Sequence, residues 1–408
     1  VTVPDTEDPP GRWAALTILA LAMLLAMTTW FSASAVLPQV RAQWHLSSTT
    51  ASFLTIAVQL GFIVGAVVSA ALSLADLLAP RRLILYGALG AAASNALLVA
   101  SHGADSALPL RFVTGVCLAG VYPPALKAMA TWFRHGRGTG LGIMVGALTL
   151  GSATPQLVAG LGGVQWRAVI VTTSLLTLGG GIVAEKLGRD GPFPFPRARF
   201  DPTQARRAMA NRGVRLSSIG YFGHMWELYA MWAWFSVFFA GVLAGRHGGD
   251  PYRGAALATF AVIGIGAVGC WVGGVLSDRW GRTRSAGLAM ALSGTTALLI
   301  GFTQHFPAPL VLLIGLFWGF WVVADSAQFS TIVTEVADQS YVGTAVTLQL
   351  AVGFVLSVVT IWLVPVVVAA GSWAWAFGML APGPFIGVIA MARLRRAPEA
   401  ALIAGGRG

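Results

Sequence analysis

Twelve times along this 408-residue chain the sequence runs for some twenty residues with almost no Asp, Glu, Lys or Arg. About 20 consecutive apolar residues is the length that carries an α-helix across the hydrocarbon core of a bilayer. The runs fall at roughly 13–36, 49–73, 82–101, 107–130, 138–161, 165–186, 217–243, 254–276, 285–303, 308–331, 342–367 and 373–392. Only 10% of the residues are charged, whereas a soluble domain carries about 25%. The solvent for most of this chain is therefore lipid. The expected class is an all-α membrane protein with twelve transmembrane helices.

Lys and Arg outnumber Asp and Glu by 26 to 15, a surplus that by itself would suit nucleic acid. Its distribution argues otherwise. With the N-terminus in the cytoplasm, one side collects Arg12, Arg81, Arg82, Arg134, Arg137, Lys186, the arginines from 189 to 215, Arg279, Arg282, Arg284 and those after residue 392. The other side holds Arg41, Arg167, Arg246 and Arg253. That is the positive-inside bias. It predicts a multi-pass protein of the inner (cytoplasmic) membrane, both termini in the cytoplasm and no nucleic-acid partner. The acidic N-terminal stretch lacks a cleavage site, so the first run is expected to be a retained span. Cys117 and Cys270 lie within apolar runs and suggest no disulfide framework.

The longest polar stretch, 187–216, divides the chain six plus six. The expected organisation is a tail (1–12), a six-helix bundle (13–186), a central cytoplasmic loop (187–216), a second bundle (217–392) and a tail (393–408). The halves echo one another. Met27, Trp30, Phe31 and Ser32 recur as Met231, Trp234, Phe235 and Ser236, an offset of 204 residues. Asp76 with Arg82 recurs as Asp278 with Arg284, an offset of 202. A duplicated six-helix unit places a solute site near the midplane, between halves that rock to alternate access.

The segment GVLSDRWGRTR (274–284) resembles the cytoplasmic loop signature of the major facilitator superfamily, and Arg111 with Gly115 resembles the R-x-x-x-G of that family's fourth span. The first-half loop, LSLADLLAPRR, keeps Asp76 and Arg82 but has Leu77 and Ala79 where the signature has Arg and Gly. The resemblance covers essentially the whole chain and implies a secondary transporter whose cavity is lined by spans one, four, seven and ten. Physically, an aspartate at a helix end can lie against the N-terminus of a helix from the other half, where free N–H groups favour an anion. Asp76, Arg82, Asp278, Arg279 and Arg282 are the expected gating residues. Lys127 and Asp325, toward the cytoplasmic ends of spans four and ten, are candidates for a latch, although Lys127 can equally snorkel.

Span seven holds His224 and Glu227 in an otherwise apolar helix, on one face with Tyr221. An ionisable residue at the bilayer centre costs at least about 2.5 kcal/mol and usually marks a substrate or ion pathway. At offset 204 the matching first-half residues are Ala20 and Met23, so the scaffold does not require charge there. Glu227, His224 and Asp325 are therefore the expected proton-coupling residues, Glu227 and Asp325 carrying protons and His224 setting the protonation of Glu227 or binding solute. The alternative is a structural His–Glu hydrogen bond. The expected substrate-binding set is Arg111, Tyr122, His224, Glu227, Trp30 and Trp321. Pro123 and Pro124 are expected to bend span four.

The glycines from 138 to 151 follow no strand and lack a Lys-Ser/Thr, so they suit helix packing rather than a nucleotide loop. The sequence shows no nucleophile elbow and no third ligand to complete a metal site with His224 and Glu227. Neither a cofactor nor enzymatic activity is expected. Spans two and eight lack the arginines of nitrate porters, and only half of the drug-antiporter signature in span five is met. The leading expectation is proton-coupled uptake of a small organic or pseudohalide anion by a monomer. The alternative is a proton-coupled antiporter exporting an amphipathic compound.

Overall fold

A computed structural model describes residues 9–133, 136–162, 165–193, 201–244, 250–338 and 340–408. Residues 1–8 of the N-terminal tail, Arg134, Arg246, residues 194–200 of the central loop and the side chain of Asp76 lie outside this set. The described residues form helices and turns with no strand, as the bilayer requires of a chain that must satisfy its backbone hydrogen bonds internally.

Twelve spans emerge, numbered here in chain order: Arg12–Thr29, Thr49–Ala71, Pro80–Ala100, Ala104–Ala130, Arg137–Leu161, Trp166–Leu187, Arg212–Leu243, Pro251–Trp280, Arg282–Thr303, Ala308–Val336, Val342–Ala370 and Trp373–Arg395. An even number of crossings puts the start of span one and the finish of span twelve at the same end, called here the termini end. Span seven is a single 32-residue helix that begins inside the stretch read as central loop, capped by Asn211, whose side chain accepts from Val214 N–H. Outward-facing apolar side chains such as Leu175, Phe302 and Leu313 stay exposed, as a lipid-facing surface demands.

Four spans are interrupted, span twelve between Gly378 and Pro382. Span one loosens at Met27–Thr29 and continues as the short helices Ser32–Ala35 and Leu37–Gln43. Span four breaks between Leu118 and Tyr122. The two prolines after Tyr122 therefore fall in the first turn of the next helix, where a missing N–H costs nothing. Span ten breaks between Trp321 and Ser326. These last two breaks are related by the 204-residue offset.

The same offset governs packing. In the first half Gly115 lies against the carbonyl of Val58 and Gly65 against that of Val116, joining spans two and four. In the second half Gly319 lies against the carbonyl of Val262 and Gly269 against that of Phe320, joining spans eight and ten. Each of these residues is 204 positions from its counterpart, so the duplicated unit shares its backbone contacts as well as its sequence echo. Between the halves, spans five and eight run antiparallel in contact from end to end. Gly142 and Gly146 lie against the carbonyls of Cys270 and Ala267, and Gly274 against the carbonyl of Gly138, so closely that a Cβ on any of the three would crowd them, which is the use foreseen for that glycine series. Spans two and eleven form the second seam.

Candidate solute and proton site

Glu227 sits midway along span seven, fifteen residues from Arg212 and sixteen from Leu243. It is 1% exposed. One carboxylate oxygen accepts from the indole N–H of Trp318 at 2.6 Å and the other from the hydroxyl of Ser293 at 2.9 Å. Both donors are neutral. His224, one turn away, does not bond Glu227. Its Nδ1 lies 2.9 Å from Oδ1 of Asp325, and its Nε2 is 3.0 Å from the hydroxyl of Ser326. The two atoms stand at ion-pair distance, and neither has a hydrogen-bond partner. Asp325 can reach His224 because span ten unwinds just before it and Ser326 restarts the helix. Three titratable groups from spans seven and ten thus lie in the dry interior of the second half, arranged as a paired histidine–aspartate and a separate carboxyl.

Arg111, 0% exposed, occupies the matching interior of the first half. Its Nε donates to Leu54 O, Nη1 to Thr29 O, Ser32 Oγ and Asn95 Oδ1, and Nη2 to Trp30 O. Among the described residues no carboxylate faces it. The guanidinium gathers the carbonyls that the break in span one makes available and ties spans one, two, three and four together. The sequence suggested direct contact with an anion. The structure instead surrounds Arg111 with oxygen atoms of its own half, and it reaches the centre only through Trp30.

Trp30 belongs to an aromatic cluster that joins the halves. Its ring stacks on Tyr229 at 6.0 Å and tilts against Phe62 at 4.9 Å and Phe354 at 5.8 Å. Phe31 stacks on Tyr229 and meets Trp232 edge-on. Tyr122 joins at the margin, 6.4 Å from Phe62. The indole N–H groups of Trp30 and Trp232 and both polar atoms of Gln59 are buried without a hydrogen-bond partner. Buried donors left open are rare enough to need an explanation, and a ligand is one. Trp321, expected at the site, packs on Phe317 and Phe320 away from this cluster. Phe62, Gln59, Ser293 and Phe354 were not signalled, because each is an ordinary residue of an apolar run until the halves meet.

At the termini end Asp278 Oδ2 accepts from the backbone N–H of Thr139 at 3.0 Å and from its hydroxyl at 2.9 Å, at the N-terminus of span five. Arg282, 5% exposed, forms a two-point pair with Glu335 at the end of span ten, at 2.9 and 2.8 Å. Arg82 and Arg279 are exposed and Lys127 is half-buried. Asp325 faces His224, so the expected Lys127–Asp325 latch is not the pairing adopted.

A profile of the Major Facilitator Superfamily matches residues 19–359. The chain belongs to this superfamily. Its members are transporters rather than enzymes, and the fold agrees. Two inward-facing structures of a bacterial homologue of the human lysosomal transporter Spinster share that fold. The unoccupied form has a TM-score of 0.65 at 15% identity, covering 98% of both chains. The occupied form has a TM-score of 0.66 at 15% identity, covering 95% of this chain and 97% of that one. Among curated relatives, the multidrug efflux pump LfrA of Mycolicibacterium smegmatis is 32% identical over 210 residues, 49% of this chain and 40% of that protein. A probable 4-methylmuconolactone transporter of Cupriavidus pinatubonensis is 36% identical over 123 residues, 29% of this chain and 26% of that protein. The matches span less than half the length of either relative.

Proposed function

We propose that this superfamily member couples proton movement to uptake of a small organic anion across the inner membrane, with the termini end facing the cytoplasm. The observation that carries the reading is Glu227: a carboxyl at the centre of a span whose partners, Trp318 and Ser293, are neutral donors. A bare carboxylate there is costly and a protonated one is not, so the group can take up and release a proton as access alternates. His224 and Asp325 relay between Glu227 and the termini end. The solute sits against Trp30, Tyr229 and Trp232, whose open indole donors suit the oxygens of a flat acid or lactone. Arg111 acts at one remove, fixing Trp30 and lending positive charge. Asp278 on Thr139 holds the termini end shut. The chain works as a monomer, since both sides of the seam come from one polypeptide.

A second reading, proton-coupled export of an amphipathic compound, is supported by the longer alignment to a multidrug efflux pump and by the same aromatic walls. Liposomes containing the protein and a trapped pH dye separate the two. Lumenal acidification on adding a membrane-impermeant carboxylate, absent in Glu227→Gln, means symport. Alkalinisation driven by a cationic amphiphile means antiport. Movement of either solute with no pH change in the native protein would overturn proton coupling.

A further inference from the structure

The residues after span twelve are not a loose tail. Pro398–Gly405 forms a short helical segment in which Ile403 is 0% exposed. Ala404 lies in the left-handed region at φ 50°, ψ 36°, a conformation that a non-glycine residue keeps only when its surroundings over-determine it. The reason is visible in its contacts. That turn aims the Ala404 N–H at Glu335 Oε2, 3.1 Å away, the same carboxylate that accepts two N–H groups from Arg282. One residue set therefore binds Glu335 from two directions.

The neighbouring contact falls on the turn between spans eight and nine. Gly281, at φ 95°, is pressed by the carbonyl of Arg407, and a Cβ there would collide with it. The turn has no room for a side chain on two counts, backbone conformation and the segment lying on it. Gly281 and Arg282 follow Asp278 by three and four residues, and Asp278 is the residue that bonds Thr139 of the other half. The segment also touches spans seven and twelve. It thus joins spans seven, ten and twelve to the turn between spans eight and nine at the base of the inter-half contact. One Nη of Arg282 is buried without a partner beside it.

We propose that residues 398–407 form a clasp that positions the turn between spans eight and nine, and through it Asp278, so that closure of the termini end depends on the clasp being seated. The inference rests on the gating reading of Asp278. Glu335 and Ala404 are positioning residues in this scheme and touch no solute. Release of the segment lets the turn and the end of span ten move apart from one another while the interior of the half stays packed.

The test is a pulsed spin-label distance across the termini end, between labels at Leu187→Cys and Arg395→Cys, with Cys117 and Cys270 replaced by alanine. Both label positions are exposed, one in each half. Deleting residues 398–408, or making Ala404→Pro, which removes the N–H and forbids the left-handed φ, should raise the open population about fivefold. Ala404→Gly keeps the N–H, relieves the backbone and should leave the distribution unchanged. Asp278→Asn is the reference and should open the same end. If Asp278→Asn opens it while the deletion and Ala404→Pro do not, the clasp is wrong and the gate stands. If Asp278→Asn leaves the distances unchanged, the gating reading falls and the clasp with it. Should the deletion fail to fold, Ala404→Pro in the full chain decides.

Discussion

Asp278 and Thr139 are 139 residues apart in sequence and belong to different halves, yet one carboxylate oxygen of the first accepts both the backbone N–H and the hydroxyl of the second. The acceptor is anionic and the donors open a helix, so each bond is charge-assisted and gains from the partial positive charge of that helix end. Gly138 lies directly under the carboxylate, where a Cβ would meet Asp278 Oδ1.

Asp278→Asn should therefore lower the initial transport rate about tenfold, the loss expected when a charged hydrogen bond becomes a neutral one. Gly138→Ala should do the same by steric displacement, with the aspartate still present. Initial rates in proteoliposomes check both, and equal rates in either variant would sever the link between this contact and transport.

Glu227→Gln retains an oxygen for the Trp318 indole and a polar group for Ser293, but it cannot exchange a proton. Counterflow of labelled solute between the two sides should persist, while accumulation driven by a pH gradient should disappear. Continued uphill accumulation would remove Glu227 from the coupling.

The His224–Asp325 pair is best probed by a double-mutant cycle. His224→Ala leaves the buried Asp325 without its partner, and breaking a buried pair costs about 3–5 kcal/mol. His224→Ala with Asp325→Ala should recover much of that loss, read as thermal unfolding in detergent micelles. Additive losses would mean that the two side chains do not interact.

Arg111→Lys should destabilise the first half strongly. An ammonium presents its donors from a single nitrogen and cannot reach Leu54, Thr29, Trp30 and Asn95 together as the planar guanidinium does. A melting temperature lowered by several degrees, with tryptophan fluorescence reporting a displaced Trp30, is the expected outcome. An unchanged melting temperature would show that the strap carries little stability.

Much of this protein was legible without coordinates, and the reasons are physical. Lipid admits helices of a set length, so apolar runs alone fixed the twelve spans. The offset of 204 that links Trp30 to Trp234 also links Gly115 to Gly319, and it could have predicted the break in span ten from the Tyr122-Pro123-Pro124 segment of span four. Asp278 was readable as a cap on a helix of the other half because its partner is backbone, and any helix N-terminus supplies that. Side-chain partners were not readable in the same way. His224 and Glu227 share a helix face three residues apart, which suggested a mutual bond. One turned to Asp325 and the other to Trp318 and Ser293, because span ten unwinds beside them.

Composition and periodicity, then, determined the solvent, the number of crossings, the duplication and the depth of each ionisable group, since these depend on one helix at a time. Only the tertiary structure decided that Arg111 straps a broken helix, that Trp318 rather than Trp321 meets Glu227, and that Ala404 reaches Glu335. Those choices depend on which carbonyls a neighbouring span leaves open and how closely glycines let two backbones approach. Neither property belongs to any single stretch of sequence.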